Sequence, residues 1–380
     1  MAPKPFTIDV PQQTLEDLQQ RLARIRWPDE VDGAGWDYGT NLAFLQELTT
    51  YWREQYDWRA AEAQLNEFSH FRAEVDGFGI HFIHQRSSAP NSRPLLLLHG
   101  WPDSFYRYSK VIPQLTDSFD IVVPSLPGFG FSDKPTTRAG VDTVALLAKL
   151  MTEVLGYRSF AVHGGDTGSP LAKELAARYP DAVSALHLTD IGWDALFAFD
   201  PATLSPLEQQ YLEIEDASSK QEGAYVTIQG TKPQTLAYGL TDSPVGMAAW
   251  IVEKFSTWSD CNGDIERSFT KDELLTNIMI YWVTETFNSS IRWYYFGSGD
   301  EAWTDTSESS DWGANARPSA PAAVALFPHD LPKGALPPRE LGERVLNVVR
   351  WTEMPRGGHF AALEEPELLV GDIRAFFASL

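Results

Sequence analysis

The sequence of 380 residues contains one cysteine, few basic residues and no long apolar run. The single cysteine, Cys261, excludes an internal disulfide framework and a cysteine-rich zinc site. The longest apolar runs, such as Leu95–Leu98, fall far short of the ~20 residues that a membrane-spanning helix needs. Residues 1–10 include a lysine, two prolines and an aspartate, a composition unlike that of a secretory signal. We therefore expect a soluble, cytoplasmic protein.

Positive charge is scarce as well, because 30 lysine and arginine residues face 52 aspartate and glutamate residues and leave a net charge of -22. So acidic a surface repels nucleic-acid phosphates and anionic lipids, and neither is an expected partner. Apolar residues, in contrast, make up 43% of the chain and aromatic residues 12%. This is enough for the core of one large α/β domain or of two ordinary domains.

Residues 1–90 form the first of three regions, and their pattern predicts helices followed by two short strands. Thr14 is the expected N-cap of an amphipathic helix that Pro28 ends. A second helical stripe covers residues 45–56, and the strands flank a turn at Gly77–Gly79. Because no nucleophile, base and acid cluster here, we expect a packing or lid element.

The other two regions predict a parallel sheet interrupted by helices. In residues 91–192, apolar runs alternate with helical stretches, expected at 104–115, 142–155 and 169–179, which is typical of parallel α/β folds. The alternation resumes in residues 311–380. Residues 193–310 instead favour long helices rich in tryptophan and tyrosine, followed from residue 300 by an acidic stretch that suits a solvated loop. We therefore expect a helical cap, residues 193–310, inserted into one mostly parallel sheet flanked by helices.

The sharpest motif is the sequence GGDTG at residues 164–168, between a strand candidate and a helix. Small residues on both sides of a polar one let a strand turn abruptly into a helix and expose the central side chain. The alternatives are a solvated turn and a dinucleotide-binding loop with Asp190 on the ribose. The latter fits less well, because the Asp166 carboxylate would occupy the pyrophosphate position at the helix N-terminus. The motif thus favours Asp166 as a nucleophile.

An aspartate nucleophile restricts the reaction. Serine attacking the carbon of a strained ring or an alkyl halide would leave an ether that the enzyme could not hydrolyse. A carboxylate leaves an ester, which activated water opens at its carbonyl to return the free aspartate. That second step needs a base, an acid that orients the base, and donors for the oxyanion.

The sequence offers candidates for each of these groups. His359 follows a glycine pair just before the last helix and is the favoured base. His81 and His84 lie three residues apart in a strand, so their side chains face opposite ways and cannot form a metal-binding pair. Asp330 follows a late strand, and the order nucleophile, acid, histidine is that of a known hydrolase architecture. Asp190 is the alternative acid. The oxyanion donors are expected to be the backbone N–H groups of Trp101 and Thr167.

Taken together, these motifs resemble those of the microsomal-type epoxide hydrolases, which are α/β-hydrolases with an epoxide hydrolase N-terminal region. The resemblance covers nearly the full length of the chain. It rests on Arg26-Trp27-Pro28, His99-Gly100-Trp101-Pro102, Gly164-Gly165-Asp166, Lys232-Pro233-Gln234-Thr235, Asp242-Ser243-Pro244-Val245-Gly246, Glu253-Lys254-Phe255 and Gly357-Gly358-His359-Phe360.

The resemblance implies the same nucleophile, base and acid, and it adds two cap tyrosines that hold and protonate the epoxide oxygen. These fall on Tyr225 and Tyr294, with Tyr295 as the neighbour that could replace the second. A phenol with a pKa near ~10 keeps its proton at neutral pH and can give it to a nascent alkoxide.

Two residues depart from the pattern of the family. Thr167 replaces a tryptophan common in relatives and is expected to alter pocket shape rather than mechanism, and Asp103 replaces a glycine of the microsomal enzymes.

The expected activity is therefore hydrolysis of an epoxide to a vicinal diol through a covalent aspartyl ester, without metal or cofactor. The aromatic-rich cap suggests bulky or aryl epoxides, in either detoxification or natural-product biosynthesis. A haloalkane dehalogenase with the same nucleophile is the alternative. A third possibility is an inactive hydrolase fold that serves as a small-molecule binding or scaffold protein. The resemblance also implies a possible homodimer. The membrane-anchoring helix of the microsomal enzymes is missing from this sequence, which is consistent with the expected soluble protein.

Overall fold

The computed structural model describes residues 2–137, 140–192, 199–296, 317–330 and 335–380. Strands in these residues join into one sheet. They are β1 (Lys4–Pro5), β2 (His70–Val75), β3 (Phe78–Gln85), β4 (Arg93–Leu98), β5 (Phe119–Pro124), β6 (Phe160–Gly164), β7 (Val183–Leu188), β8 (Pro321–Leu326) and β9 (Asn347–Glu353).

The α-helices of the described residues fall before, between and after these strands. They are α1 (Gln12–Leu22), α2 (Leu42–Glu54), α3 (Trp58–Leu65), α4 (Ile112–Leu115), α5 (Thr143–Lys149), α6 (Gly168–Arg178), α7 (Pro206–Glu222), α8 (Ala224–Thr231), α9 (Pro233–Asp242), α10 (Pro244–Thr257), α11 (Lys271–Thr284), α12 (Phe287–Phe296), α13 (Arg339–Val345), α14 (Ala361–Glu364) and α15 (Pro366–Ala378). None of them is both long enough and apolar enough to cross a membrane.

The sheet has the strand order β1-β2-β3-β5-β4-β6-β7-β8-β9. The pairs from β5 to β9 are all parallel, whereas β1, β2 and β3 add an antiparallel edge. This confirms the predicted α/β class with a mostly parallel sheet. The parallel strands were recognisable as apolar runs because both of their faces are buried, and the leucines at 95–98 are fully buried in β4.

The N-terminal helix differs from its prediction at both ends. It begins at Gln12 with Pro11 at the N-cap position, so Thr14 lies in the first turn and is not the cap. Proline fits there because its fixed φ suits a helix start, and its carbonyl accepts the Thr14 N–H at 3.0 Å. The helix ends at Leu22 rather than near Pro28, because Arg24 N donates to the Arg21 carbonyl and tightens the last turn.

One further helix prediction was too long. The stretch 104–115 contains only a 3₁₀ turn (Phe105–Tyr108) and the short α4, which carries a proline without an N–H group to donate. The prediction for 142–155 is confirmed, because α5 continues directly into a π-helical turn, Leu150–Val154. The predicted acidic loop from residue 300 and the two ends of the predicted cap lie outside the described residues.

The N-terminal helices pack against the helices between β7 and β8. Arg21 in α1 donates to both the carboxylate and the carbonyl of Asp242 at the end of α9. Thr40 donates to the Ala249 carbonyl in α10 at 2.6 Å, and Tyr51 donates to Asp272 in α11 at 2.9 Å. The first region therefore supports the helices that cover the carboxyl ends of the strands.

Removal of side-chain volume from the middle of the sheet should destabilise the whole fold. Leu97 in β4 is completely buried, and we expect Leu97→Ala to lower the free energy of unfolding by about 2–5 kcal/mol. Leu207, which is 60% exposed in α7, is the matched control. Urea unfolding curves that give the same midpoint for both alanine variants would contradict this packing.

Candidate active site

Asp166 lies at a sharp turn between β6 and α6. Its φ of 55° is in the left-handed region, which is rare for residues other than glycine. The turn is possible because the two residues before Asp166 have no side chains. A Cβ on Gly164 would overlap the Gly168 carbonyl, and a Cβ on Gly165 would overlap the Thr189 hydroxyl. The strained turn projects the Asp166 carboxylate from the carboxyl edge of the sheet.

Two hydrogen-bond donors hold one oxygen of this carboxylate. Asp166 Oδ1 accepts a hydrogen bond of 2.9 Å from Trp101 N and another of 2.9 Å from the Thr167 hydroxyl. The backbone N–H of Thr167 also favours the ionised carboxylate and lowers its pKa. Burial raises the pKa of the Asp166 carboxyl. The His359 imidazole and the N–H groups of Trp101 and Thr167 lower it by more than burial raises it, so that the pKa is about 2. The approach of Trp101 requires glycine at position 100, where a Cβ would overlap Oδ1.

His359 lies between two carboxylates. Its Nδ1 is 2.8 Å from Asp330 Oδ1, and its Nε2 is 3.4 Å from Asp166 Oδ2. Burial lowers the pKa of His359, but the charges of Asp330 and Asp166 outweigh it and raise the pKa to about 10. The histidine loop is fixed by its backbone, since His359 N donates to the Trp258 carbonyl at 2.8 Å. The structure thus brings together the three residues singled out as nucleophile, acid and base.

Asp190, the alternative acid, lies elsewhere in the site. Its Oδ2 accepts from Asp166 N at 2.9 Å and from the Ser169 hydroxyl at 2.8 Å, and its Oδ1 accepts from Gly192 N at 2.7 Å. It therefore holds the backbone of the turn, whereas Asp330 is the carboxylate bonded to His359. Burial and the charge of Asp330 raise the pKa of Asp190 to about 6. Its position after β7, the strand next to β6, was the signal for this contact.

The two cap tyrosines pack against the ring of Trp101, whose N–H holds the nucleophile. Tyr225 in α8 stacks on the Trp101 ring at 5.4 Å, and Tyr294 in α12 packs edge-on against the same ring at 5.7 Å. The two phenol rings are 5.7 Å apart. Burial raises the pKa of both phenols, so both are protonated at neutral pH. Tyr295, in contrast, is 44% exposed and contacts Phe296.

Asp103 and Arg107 form a buried ion pair that the sequence analysis left without a role. Asp103 accepts from Arg107 Nη1 at 2.5 Å and from Gly100 N at 3.1 Å. Arg107 also donates to the His359 carbonyl. The pair therefore links the loop that carries the Trp101 N–H to the loop that carries the histidine. The spacing of four residues beside the His-Gly-Trp-Pro motif was the available signal.

The remaining histidines and acids do not suggest a metal. His81 Nδ1 pairs with the Ser125 hydroxyl at 2.8 Å, and His84 Nε2 pairs with Tyr157 at 2.8 Å, so the two imidazoles have separate partners. In the part of the chain that the structure describes, no cluster of three or more histidine, cysteine, aspartate or glutamate side chains could hold a metal ion.

The arrangement suits nucleophilic attack by a carboxylate in an aromatic enclosure. Trp258 packs against the His359 ring at 5.1 Å and against Tyr225 at 5.3 Å, and Trp101 closes the other side. One carboxylate oxygen is held by donors, an imidazole is positioned beside the other oxygen, and two phenols lie opposite. This set can form an ester, supply protons from the cap and activate water.

Comparison with known proteins places the chain in one family. Residues 3–108 match the family described as epoxide hydrolase N terminus, and residues 93–222 match the alpha/beta hydrolase fold. Epoxide hydrolase 1 of Sus scrofa is 35% identical to this chain, and the matched region covers 99% of this chain and 89% of that protein.

Solved structures agree with this assignment. The crystal structure of juvenile hormone epoxide hydrolase from Bombyx mori has a TM-score of 0.87 and 30% identity, with 100% of this chain and 94% of that chain covered. Aspergillus niger epoxide hydrolase has a TM-score of 0.83 and 27% identity, with 100% and 97% covered. The predicted α/β-hydrolase fold and the predicted resemblance are both confirmed. The chain is an enzyme that belongs to the epoxide hydrolase family.

Proposed function

We propose that the chain hydrolyses an epoxide to a vicinal diol through a covalent ester of Asp166. The observation that carries the proposal is the contact of this carboxylate with Trp101 N, Thr167 and His359 on one side of a site whose other side holds two phenols. Trp101 and Thr167 hold Oδ1, which leaves Oδ2 as the attacking atom. Oδ1 then becomes the carbonyl oxygen of the ester.

Ring opening requires a proton for the leaving oxygen. As Asp166 Oδ2 bonds to one oxirane carbon, the C–O bond of the ring breaks and its electron pair stays on oxygen. Tyr225 and Tyr294 hold that oxygen, and one phenol transfers its proton to it. Because burial raises the pKa of both phenols, neither loses its proton before the alkoxide develops.

The second step follows from the loss of charge at Asp166. In the free enzyme two carboxylates hold the proton of His359, whose pKa is raised to about 10. Once Asp166 is an ester it is neutral, so the imidazolium keeps only Asp330 as an anionic partner and its pKa falls. The imidazolium can then release its Nε2 proton, which restores the phenol that was deprotonated in ring opening. The neutral imidazole accepts a proton from the water that attacks the ester carbonyl. The donors at Oδ1 stabilise the resulting oxyanion. Collapse of the tetrahedral intermediate returns the Asp166 carboxylate and the diol.

The alternatives have less support. A haloalkane dehalogenase needs donors for a departing halide, commonly an indole after the nucleophile, where this chain has Thr167 with its hydroxyl bonded to Asp166. The paired phenols suit an alkoxide better. An inactive scaffold protein would have no need for the contacts of Asp330 and Asp166 with His359.

The substrate class is proposed from the walls of the site. Trp101, Trp258 and the two tyrosine rings form an aromatic enclosure, which favours bulky or aryl epoxides. Such substrates occur both in detoxification and in natural-product biosynthesis. The cytoplasmic location and the homodimer stay predictions.

Removal of the nucleophile tests the proposed function. We expect the wild-type chain to convert members of a panel of aryl and alkyl epoxides to diols, and Asp166→Ala to lose this activity by about a thousandfold or more. Diol and remaining epoxide are measured by chromatography. Asp216→Ala removes an exposed carboxylate, 66% exposed in α7, and should leave the rate unchanged. Undiminished turnover by Asp166→Ala would contradict the proposal.

The Thr167 hydroxyl should matter most in ester hydrolysis, because the oxyanion of that step develops on Oδ1. We expect Thr167→Val to slow hydrolysis of the ester by about tenfold to a hundredfold, with a smaller effect on its formation. Thr167→Ser retains the hydroxyl and is the matched control. Quenched-flow mass spectrometry follows the rise and decay of the ester. Equal decay rates in the valine and serine variants would exclude a role for this donor.

A further inference from the structure

Lys254 in α10 is a buried cation beside the phenol of Tyr225. Its side chain is 7% exposed, and its Nζ lies 4.6 Å from the centre of the Tyr225 ring and 5.6 Å from that of Trp258. Lysine is rarely buried to this extent unless it is paired. Here Glu253 supplies the pair, with its Oε2 at 2.5 Å from the ammonium.

The position of this ammonium is not explained by packing alone. Burial of a charge costs free energy, and an unbranched apolar side chain of similar length could fill the same space at lower cost. The Glu253 carboxylate pairs with the ammonium through Oε2, and its other oxygen accepts from the Thr257 hydroxyl at 2.9 Å. The pair therefore holds a fixed positive charge against the ring.

The other charged groups that face Tyr225 oppose its ionisation. Burial and the carboxylates of Asp166, Glu253 and Glu215 raise the pKa of this phenol, while a hydrogen bond with Tyr294 lowers it. Lys254 is the cation that the described part of the chain places over this ring. A phenol that donates its proton here becomes a tyrosinate among carboxylates. The His359 imidazolium is a second cation of the site, on the other side of Trp258, whereas the ammonium lies against the Tyr225 ring itself.

We infer that Lys254 is a positioning residue that promotes proton donation from Tyr225 during ring opening. The inference rests on the proposed function. In that step the O–H bond of Tyr225 breaks and its proton goes to the oxirane oxygen, while the ester bond to Asp166 forms and the ring C–O bond breaks. The negative charge left on the phenol spreads into the ring that the ammonium contacts.

The contact favours the transition state over the ground state. An ammonium near a neutral phenol ring gains a modest cation–π attraction, whereas an ammonium near a developing phenolate gains a full charge–charge attraction. Only an interaction that strengthens as the reaction proceeds raises the rate of the chemical step. The contribution of Lys254 should therefore appear in ester formation and not in ester hydrolysis, which depends on His359.

The first test separates these two steps by quenched-flow mass spectrometry. We expect Lys254→Met to slow ester formation by about tenfold to a hundredfold and to leave the decay of the ester unchanged. Lys254→Arg keeps the charge and should restore most of the rate. Epoxides with electron-withdrawing substituents give a less basic alkoxide and should lose less rate. Lys254→Gln replaces the methionine variant if the latter does not fold.

A matched control exists on the surface of the fold. Lys271 lies 6.0 Å from the centre of the Tyr51 ring, outside the site, so Lys271→Met removes a similar contact without any change to Tyr225. We expect both reaction steps to be unchanged in this variant. Ester formation that is equally fast with lysine, methionine and glutamine at position 254 would overturn the inference. So would a parallel loss in both steps that arginine does not restore.

A second measurement does not depend on turnover. With 2,3,5,6-tetrafluorotyrosine at position 225, whose phenol is far more acidic than that of tyrosine, the ¹⁹F chemical shift reports ionisation of this phenol as the pH rises. We expect Lys254→Met to raise the midpoint by about one pH unit or more. An unchanged midpoint would overturn the inference. If the wild-type chain formed no ester with any epoxide, the proposed function would fail, and the titration would still show whether Lys254 controls the ionisation of Tyr225.

Discussion

The site depends on one imidazolium held between two carboxylates. His359 bonds to Asp330 through Nδ1 and faces Asp166 through Nε2, and both charges raise the pKa of the imidazole to about 10. The same arrangement keeps the Asp166 carboxylate ionised in a buried position, with its pKa lowered to about 2. In the proposed mechanism this balance changes when Asp166 becomes an ester, because the imidazolium then loses one of its anions. Formation of the ester at Asp166 thereby lowers the pKa of His359 and lets it act as the base.

The surrounding structure keeps these charges in place. The carboxyl ends of adjacent parallel strands supply the nucleophile after β6 and its backbone partner Asp190 after β7, so one edge of the sheet fixes the turn. The buried pair of Asp103 and Arg107 ties the oxyanion loop to the histidine loop. The helices between β7 and β8 then bring the phenols over the carboxylate, and Lys254 is placed against one of them.

The sequence predicted the parts of the site that lie in short motifs, and the tertiary contacts were beyond it. Asp166 and His359 were recognisable because glycines must surround a strained turn and a closely packed loop. Continuous apolar runs revealed the buried parallel strands, but nothing local indicated that the antiparallel β3 would join β5. The contact between Arg107 and His359 joins residues 252 positions apart. The Thr167 hydroxyl was missed because only its N–H had been expected to act.

The most direct test of the proposed covalent mechanism is the intact mass of the His359→Gln protein after incubation with a panel of aryl and alkyl epoxides. Without the base, ester formation should proceed while hydrolysis stalls, so the protein should gain the mass of one intact epoxide, and peptide mapping should place it on Asp166. An adduct on another residue would contradict Asp166 as the nucleophile. Continued diol formation by an unmodified His359→Gln protein would contradict His359 as the base.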